Sequence, residues 1–149
     1  MKKIKLSKKH IDIFKKLGVE IVYLFGSRAE DRPGPMSDFD IGVVFEQPEK
    51  YRDNTLKAYS QLYDIFVEVL PKNYLRKRLK MRAHEFDIVF LQFAPVSIQY
   101  KASRDGIVLY QDSLKSTADY KERTMHNYFD FRFIENIFNE ALIQGATSI

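Results

Sequence analysis

Residues 21–45 read IVYLFGSRAEDRPGPMSDFDIGVVF, and this stretch decides the fold. An apolar run from Val19 to Phe25, rich in β-branched and aromatic residues, favours a strand that is covered on both faces. Gly26 ends this run, and the Pro- and Gly-containing residues 28–36 favour a loop. From residue 38 to 45, polar or small residues alternate with large apolar ones, which predicts a second strand.

The second strand begins with two carboxylates, Asp38 and Asp40, separated by one residue. Because side chains along a strand alternate between its two faces, both carboxylates are expected on the same face. Mg²⁺ prefers a few carboxylates together with substrate phosphate oxygens. Gly26 lets the backbone approach a ligand closely, and Ser27 at the start of a short helix would help to bind an anion. The pattern therefore predicts a site for Mg²⁺ and the phosphates of a nucleotide.

A third carboxylate, Asp87, is the single charge in the apolar segment FDIVFL, which predicts a strand from Phe86 to Leu91. Two metal ions can stabilise the attacking and leaving oxygens of an in-line displacement, and a carboxylate on a neighbouring strand would hold the ion nearest the attacking hydroxyl. Considered alone, Asp87 would more often form a salt bridge at the edge of a sheet. Together with Asp38 and Asp40 it is a candidate metal ligand.

The remaining chain predicts helices and the fourth expected strand. Ser7 is a candidate N-cap for a helix that ends at Gly18, and Pro95 is a candidate first residue of another helix that ends near Ser103. Further helices are expected at residues 51–70, from Asn73 onward and at 113–143, and a short strand at 107–110. In the helix at 51–70, the residues expected to face the core are Leu56, Tyr59, Tyr63, Phe66 and Leu70.

This order of elements predicts an α/β or α+β fold with a mixed sheet of about four strands, flanked by helices and followed by a long C-terminal helix. A single domain is expected over residues 1–149, with a core at about 19–110 and a C-terminal helical segment at about 113–145.

Composition excludes several classes of protein. The chain has 149 residues and no cysteine, so disulfide frameworks and thiolate metal sites are excluded. No apolar run has the length of a membrane span or follows the basic N-terminus as in a secretory signal, so a cytoplasmic protein is expected. The net charge of +4 is too small to indicate nucleic-acid binding, and the basic cluster from Lys72 to Arg82 is expected to be a solvated helix face.

The signature Gly26-Ser27, ten residues, Asp38-Phe39-Asp40 resembles that of the DNA polymerase β-like nucleotidyltransferases, and in particular the minimal nucleotidyltransferases (MNT proteins). The resemblance implies the polymerase β-like fold, two Mg²⁺ ions and ATP as substrate. It implies that Asp38 and Asp40 bind metal and that Gly26 and Ser27 contact the triphosphate, with Ser37 as a weaker phosphate candidate. Asp87 would complete the metal site and orient the attacking hydroxyl.

Many small MNT proteins are antitoxins of a HEPN-domain ribonuclease, and the resemblance implies transfer of AMP from ATP to a tyrosine of such a toxin. The C-terminal segment independently indicates a protein partner, because its apolar residues are too many for one core-facing stripe. These residues are Tyr120, Met125, Tyr128, Phe129, Phe131, Phe133, Ile134, Ile137, Phe138, Ala141 and Leu142. Two alternatives stay open: an antitoxin that acts by binding and occlusion without catalysis, and nucleotidyl transfer to a small molecule such as an aminoglycoside.

Overall fold

The computed structural model describes residues 4–26, 39–70 and 86–147. In chain order, the described elements are α1 (Lys8–Leu17), β1 (Val19–Phe25), β2 (Phe39–Phe45), a 3₁₀ turn (Pro48–Tyr51), α2 (Thr55–Val69), β3 (Phe86–Phe90), a 3₁₀ turn (Leu91–Phe93), α3 (Val96–Asp105), β4 (Ile107–Gln111) and α4 (Leu114–Thr147). The helix expected from Asn73 onward lies outside these residues.

The strands form one mixed sheet in the order β3-β2-β1-β4. Strand β1 pairs antiparallel with both β2 and β4, whereas β2 and β3 pair in parallel. The C-terminal end of β1 therefore lies at the same end of the sheet as the N-terminal ends of β2, β3 and β4. The expected α+β architecture with a mixed sheet of about four strands is confirmed.

Helices cover both faces of this sheet. On one face, Phe14 of α1 and Leu62 and Phe66 of α2 pack against inward-facing residues of the strands. On the other face, Ala102 of α3 and Tyr120 of α4 pack against Tyr23 and Phe25 of β1. Every residue of β1 except Glu20 is buried, as expected for a strand covered on both faces.

Helix α1 is capped at both ends by the residues that the sequence predicts. The Ser7 side chain accepts a hydrogen bond from the His10 backbone N–H, and the His10 ring accepts one from the Ser7 N–H in return. Gly18 ends the helix in the left-handed conformation, with φ of +75°. Nε2 of His10 also lies 2.8 Å from a carboxylate oxygen of Glu68, so His10 connects α1 to α2 and its role is structural.

The prediction for residues 51–70 was correct for the helix and partly wrong for its buried face. The helix proper begins at Thr55, and Leu56 in its first turn is 76% exposed. The side chains that α2 buries are Ala58, Leu62, Ile65 and Phe66. Residues 58, 62, 65 and 66 are spaced three or four apart, so they form the stripe that faces the sheet.

Helix α4 is continuous over its 34 residues and extends past the domain. Near its start, Tyr120 is buried and donates a hydrogen bond to Gln99 of α3, and Thr124 is buried against Ser103. From residue 125 to 146, every side chain except Tyr128 is exposed. At a rise of about 1.5 Å per residue, this exposed portion projects for roughly 30 Å. Among the described helices, none combines the length and apolar character of a membrane span.

Candidate active site

Two of the three predicted carboxylates lie side by side on neighbouring strands. Asp40 of β2 is directly opposite Asp87 of β3 in the parallel pairing, and such strands are about 4.8 Å apart. Val44 and Val89, which share their faces with Asp40 and Asp87, pack in the cluster with α3 and α4. Both carboxylates therefore point to the same face of the sheet, at the end of the sheet where β2 and β3 begin.

The environments of the two carboxylates differ. Asp40 lies on an inner strand and is half-buried, whereas Asp87 lies on the edge strand and is exposed. Burial raises the pKa of the Asp40 carboxyl, the charge of Asp87 raises it further, and the positive charge of Lys101 opposes this rise. Two close carboxylates that repel each other without a cation between them are a suitable site for a divalent cation.

Gly26 closes the site on the side of β1. It follows Phe25, which pairs with Asp40, and it has a φ of +90° that residues with a Cβ rarely adopt. A Cβ built on Gly26 would overlap the Oδ2 atom of Asp40. Glycine is therefore required here both for the turn and for the position of the Asp40 carboxylate.

We expect Gly26→Ala to lower the free energy of unfolding by about 2–4 kcal/mol. Two costs add together: the strain of a residue with a Cβ at positive φ, and the overlap of that Cβ with the Asp40 carboxylate. Gly18→Ala is the matched control, since Gly18 also has a positive φ but no atom lies within 4 Å of its added Cβ. It should cost only about 1–2 kcal/mol. Thermal and urea denaturation of both variants measure the difference.

A double substitution separates the two causes. If the overlap with Asp40 is real, Gly26→Ala should cost much less in an Asp40→Ala background than alone. Equal costs in the two backgrounds would contradict a contact between these positions.

The other predicted site residues, Ser27, Ser37 and Asp38, lie outside the described part of the chain. Their roles stay predictions from the sequence. Among the described residues, no group of three metal-ligating side chains is present; Asp40 and Asp87 are the two that the sheet brings together.

Sequence reasoning missed one residue whose charge acts on this site, Lys101 on α3, which lowers the pKa of Asp40. Lys101 lies among other polar residues of an ordinary amphipathic helix, so no local pattern marks it. Its proximity to Asp40 depends on how α3 crosses the sheet, which only the tertiary structure shows.

A second feature beside the sheet is a groove between α3 and α4. The rings of Tyr100 and Tyr128 stack with their centroids 4.2 Å apart, and the guanidinium of Arg104 lies over the Tyr100 ring. Phe129 and Arg132 extend this surface along α4. Tyrosine, phenylalanine and arginine are enriched at protein interfaces, so the groove has the composition of a contact surface.

The comparison with protein families identifies the chain. Residues 8–115, more than half of its 149 residues, match the family described as polymerase beta, nucleotidyltransferase. The chain belongs to this nucleotidyltransferase family. The family transfers nucleotides, and the described carboxylate pair lies within the matched region.

Known relatives agree with this assignment. The chain is 28% identical over 117 residues to the protein adenylyltransferase MntA of Aphanizomenon flos-aquae (strain 2012/KM1/D3), which covers 78% of this chain and 73% of that protein. Its fold is similar to a crystal structure of a toxin–antitoxin with AMP-PNP, with a TM-score of 0.60, 18% identity and coverage of 91% and 96% of the two chains. It is also similar to a structure of a tri-AMPylated Shewanella oneidensis HEPN toxin in complex with an MNT antitoxin, with a TM-score of 0.57, 16% identity and coverage of 91% and 93%.

Proposed function

We propose that this protein transfers AMP from ATP to a tyrosine hydroxyl of a HEPN-type ribonuclease toxin and so acts as its antitoxin. The observation that carries the chemistry is the pairing of Asp40 with Asp87 on one face of the sheet, directly beside Gly26. The named relative that is a protein adenylyltransferase and the HEPN–MNT complexes of similar fold support the choice of acceptor.

Asp40 and Asp87, with Asp38 by strand alternation, would hold two Mg²⁺ ions. When bound, Mg²⁺ would neutralise phosphate charge and favour ionisation of the acceptor hydroxyl. The two ends of the site then take different parts of the reaction. Gly26 and Ser27 would contact the triphosphate, whereas Asp87, which is exposed on the edge strand, would be open to a protein acceptor.

In the transfer, the tyrosine oxygen attacks the α-phosphorus and forms the new P–O bond. The bond between the α-phosphorus and the bridging oxygen breaks, pyrophosphate leaves with the electron pair, and the hydroxyl proton passes to solvent. The protein contributes chiefly position and charge neutralisation, as in phosphoryl transfer generally. The rigid pairing of β2 and β3 fixes the two carboxylates before substrate arrives.

The test is intact-mass spectrometry of a co-purified or neighbouring-gene HEPN protein, incubated with this protein, Mg²⁺ and ATP. The expected result is a mass increase by one or more AMP units on the HEPN protein, located on tyrosine by peptide sequencing. Omission of Mg²⁺ should prevent it. An unmodified HEPN protein, together with AMP found on another molecule, would contradict the proposed acceptor.

The exposed α4 supports a second candidate, in which the antitoxin neutralises its partner by covering it. Co-expression distinguishes the two. The double variant Asp40→Asn/Asp87→Asn should fail to protect cells from the toxin if catalysis is required, and should still protect them if occlusion is sufficient.

The raised pKa of Asp40 predicts how pH and Mg²⁺ affect stability. Since the folded protein binds this proton more tightly than the unfolded chain, ionisation of Asp40 destabilises the fold as pH rises, and the cost is fully present above the folded pKa. At neutral pH without metal, Asp40→Asn should therefore raise Tm, because the neutral amide does not pay the cost of a buried charge next to Asp87.

In the presence of Mg²⁺, the wild-type protein should have a higher Tm than Asp40→Asn. Mg²⁺ should stabilise the wild-type protein and have little effect on Asp40→Asn, and its effect on the wild type should shrink as pH falls through the raised pKa of Asp40. Differential scanning calorimetry with and without Mg²⁺ measures both effects. A lower Tm of the metal-free variant would contradict the electrostatic repulsion described for this pair.

A further inference from the structure

A groove lies between α1 and α2, on the face of the sheet opposite to the carboxylate pair. Helices α1 and α2 cover one face of the sheet, whereas the carboxylate pair lies on the face that α3 and α4 cover. Two adjoining cavities of about 370 and 210 Å³ form the groove, and Lys16, Leu17 and Tyr51 line both of them. The sheet therefore separates this groove from the candidate active site.

The floor of the groove is apolar. It is formed by four buried or half-buried side chains: Ile13, Leu17, Tyr51 and Ala58. The Tyr51 hydroxyl donates a hydrogen bond to the backbone carbonyl of Leu17 at 2.5 Å, and the Tyr51 ring packs against Phe45 with the centroids 4.5 Å apart. These contacts fix the position of the ring, so the floor is a preformed surface on which an apolar side chain can be buried.

The rest of the lining carries an excess of positive charge. Four lysines line the groove: Lys15, Lys16, Lys50 and Lys57. All four are exposed, and none forms an ion pair with a residue in the described parts of the chain. Among the described residues that line the two cavities, Glu46 is the single carboxylate. The groove therefore combines an apolar floor with ammonium groups that the described residues leave without a counterion.

The helix macrodipole accounts for only part of this charge. Lys15 and Lys16 lie in the last turn of α1, where a positive charge stabilises the helix. Lys57 is the third residue of α2, and in the first turn of a helix a positive charge is unfavourable. Stability of the helices therefore does not explain the lysine on the α2 side of the groove.

Two amide side chains, Asn54 and Gln61, complete the lining on the α2 side. Asn54 directly precedes α2, but its side chain does not cap the helix. Neither amide forms a side-chain hydrogen bond with the part of the chain that the structure describes. Because an amide can both donate to a carbonyl and accept from an N–H, these side chains can pair with the backbone of a bound peptide.

We propose that this groove binds an acidic peptide segment of a partner protein. An apolar side chain of the segment is buried on the floor, and its carboxylates pair with the lysines, whose charge is complementary. Single-stranded nucleic acid fits this lining less well, because base stacking needs free aromatic faces and the Tyr51 ring is packed against Phe45. Binding here is independent of nucleotidyl transfer, because the groove and the carboxylate pair lie on opposite faces of the sheet.

The experiment is fluorescence anisotropy of the full-length protein with labelled glutamate-rich octapeptides that contain leucine or phenylalanine. We expect saturable binding that weakens by about tenfold or more in Lys16→Glu/Lys57→Glu, because two attractive charge pairs become repulsive. Lys115→Glu/Lys121→Glu makes the same change in net charge on α4, outside the groove, and should bind like the wild type. Circular dichroism verifies that both variants fold.

Two further measurements test the floor and the location. An all-glutamate octapeptide should bind more weakly by about fivefold or more, because it has no apolar side chain to bury. The peptides should leave binding of α,β-methylene-ATP unchanged, and competition between them would place the peptides at the candidate active site and overturn the proposal.

The other outcomes are equally decisive. The proposal is overturned if none of the peptides binds saturably to the wild-type protein, or if the groove variant and the control variant bind equally well. Tighter binding of oligouridylate than of the peptides, lost in Lys16→Glu/Lys57→Glu, would assign the groove to nucleic acid instead. A failure of AMP transfer would overturn the proposed enzymatic function and leave the peptide result unaffected.

Discussion

Asp40→Asn and Asp87→Asn should each lower the rate of AMP transfer by about 10²- to 10³-fold or more, because each removes a charge that the reaction requires at a fixed position. Asparagine keeps the size of the side chain, so the sheet and its pairing should persist. Label transfer from α-³²P-ATP to the proposed HEPN partner measures the rate, and circular dichroism verifies the fold.

The two variants should differ in the step that they impair. Asp40 lies beside Gly26 on the ATP side, so Asp40→Asn should also weaken binding of α,β-methylene-ATP in the presence of Mg²⁺. Asp87 is exposed on the edge strand, so Asp87→Asn should keep most of that affinity and lose transfer. Asp64→Asn, an exposed carboxylate on α2, is the control and should transfer AMP normally. Transfer at the wild-type rate by either site variant would refute the assignment of this pair.

Ile134→Glu/Phe138→Glu should abolish stable association with the proposed HEPN partner. At 100° per residue, Phe131, Ile134, Phe138 and Leu142 form one continuous stripe along α4, and their exposed fractions are 49%, 52%, 65% and 70%. The residues that line the groove with α3, such as Arg132 and Asn136, lie on the opposite side of α4. Such a broad exposed apolar surface is unusual on a protein without a partner, and two buried charges at its centre would be strongly unfavourable.

Size-exclusion chromatography and calorimetry of the complex measure this effect, with a loss of affinity of at least about 100-fold expected for two central apolar side chains. Asn139→Glu is the matched control, because it adds the same charge on the polar side of α4. Ile134→Glu/Phe138→Glu should still bind α,β-methylene-ATP, since the stripe contains none of the predicted nucleotide-binding or metal-binding residues. Wild-type affinity for the partner would show that the interface lies elsewhere.

How far the sequence predicted the fold can be judged from individual residues. The Ser7 cap, the Gly18 end of α1 and the four strands followed from local signals, which act within a few residues of the chain. The buried face of α2 was predicted less well, because Leu56 fits the apolar period but lies in the first turn of the helix, where it stays exposed. Periodicity indicates a helix, whereas burial depends on which turns the sheet covers.

The residues of the candidate site also differ in whether local sequence signals could predict them. The spacing of Gly26, Ser27, Asp38 and Asp40 is local information, and it was sufficient to predict the nucleotidyltransferase family that the comparison confirms. The register that sets Asp87 opposite Asp40 joins residues 47 positions apart in the chain. The sequence indicated only that Asp87 is a candidate ligand, because it is the lone charge in an apolar strand. Lys101 had no such signal.

The sequence by itself therefore determined the order of helices and strands, the family and the residues of the Gly-Ser and Asp-x-Asp signature, because turn chemistry, alternation and capping depend on near neighbours. Only the tertiary structure decided that β2 and β3 pair in parallel with Asp40 opposite Asp87, that the charge of Lys101 on α3 acts on Asp40, and that α4 extends past the domain with its apolar stripe exposed. These are relations between distant segments, and they arise from how the two faces of the sheet are covered.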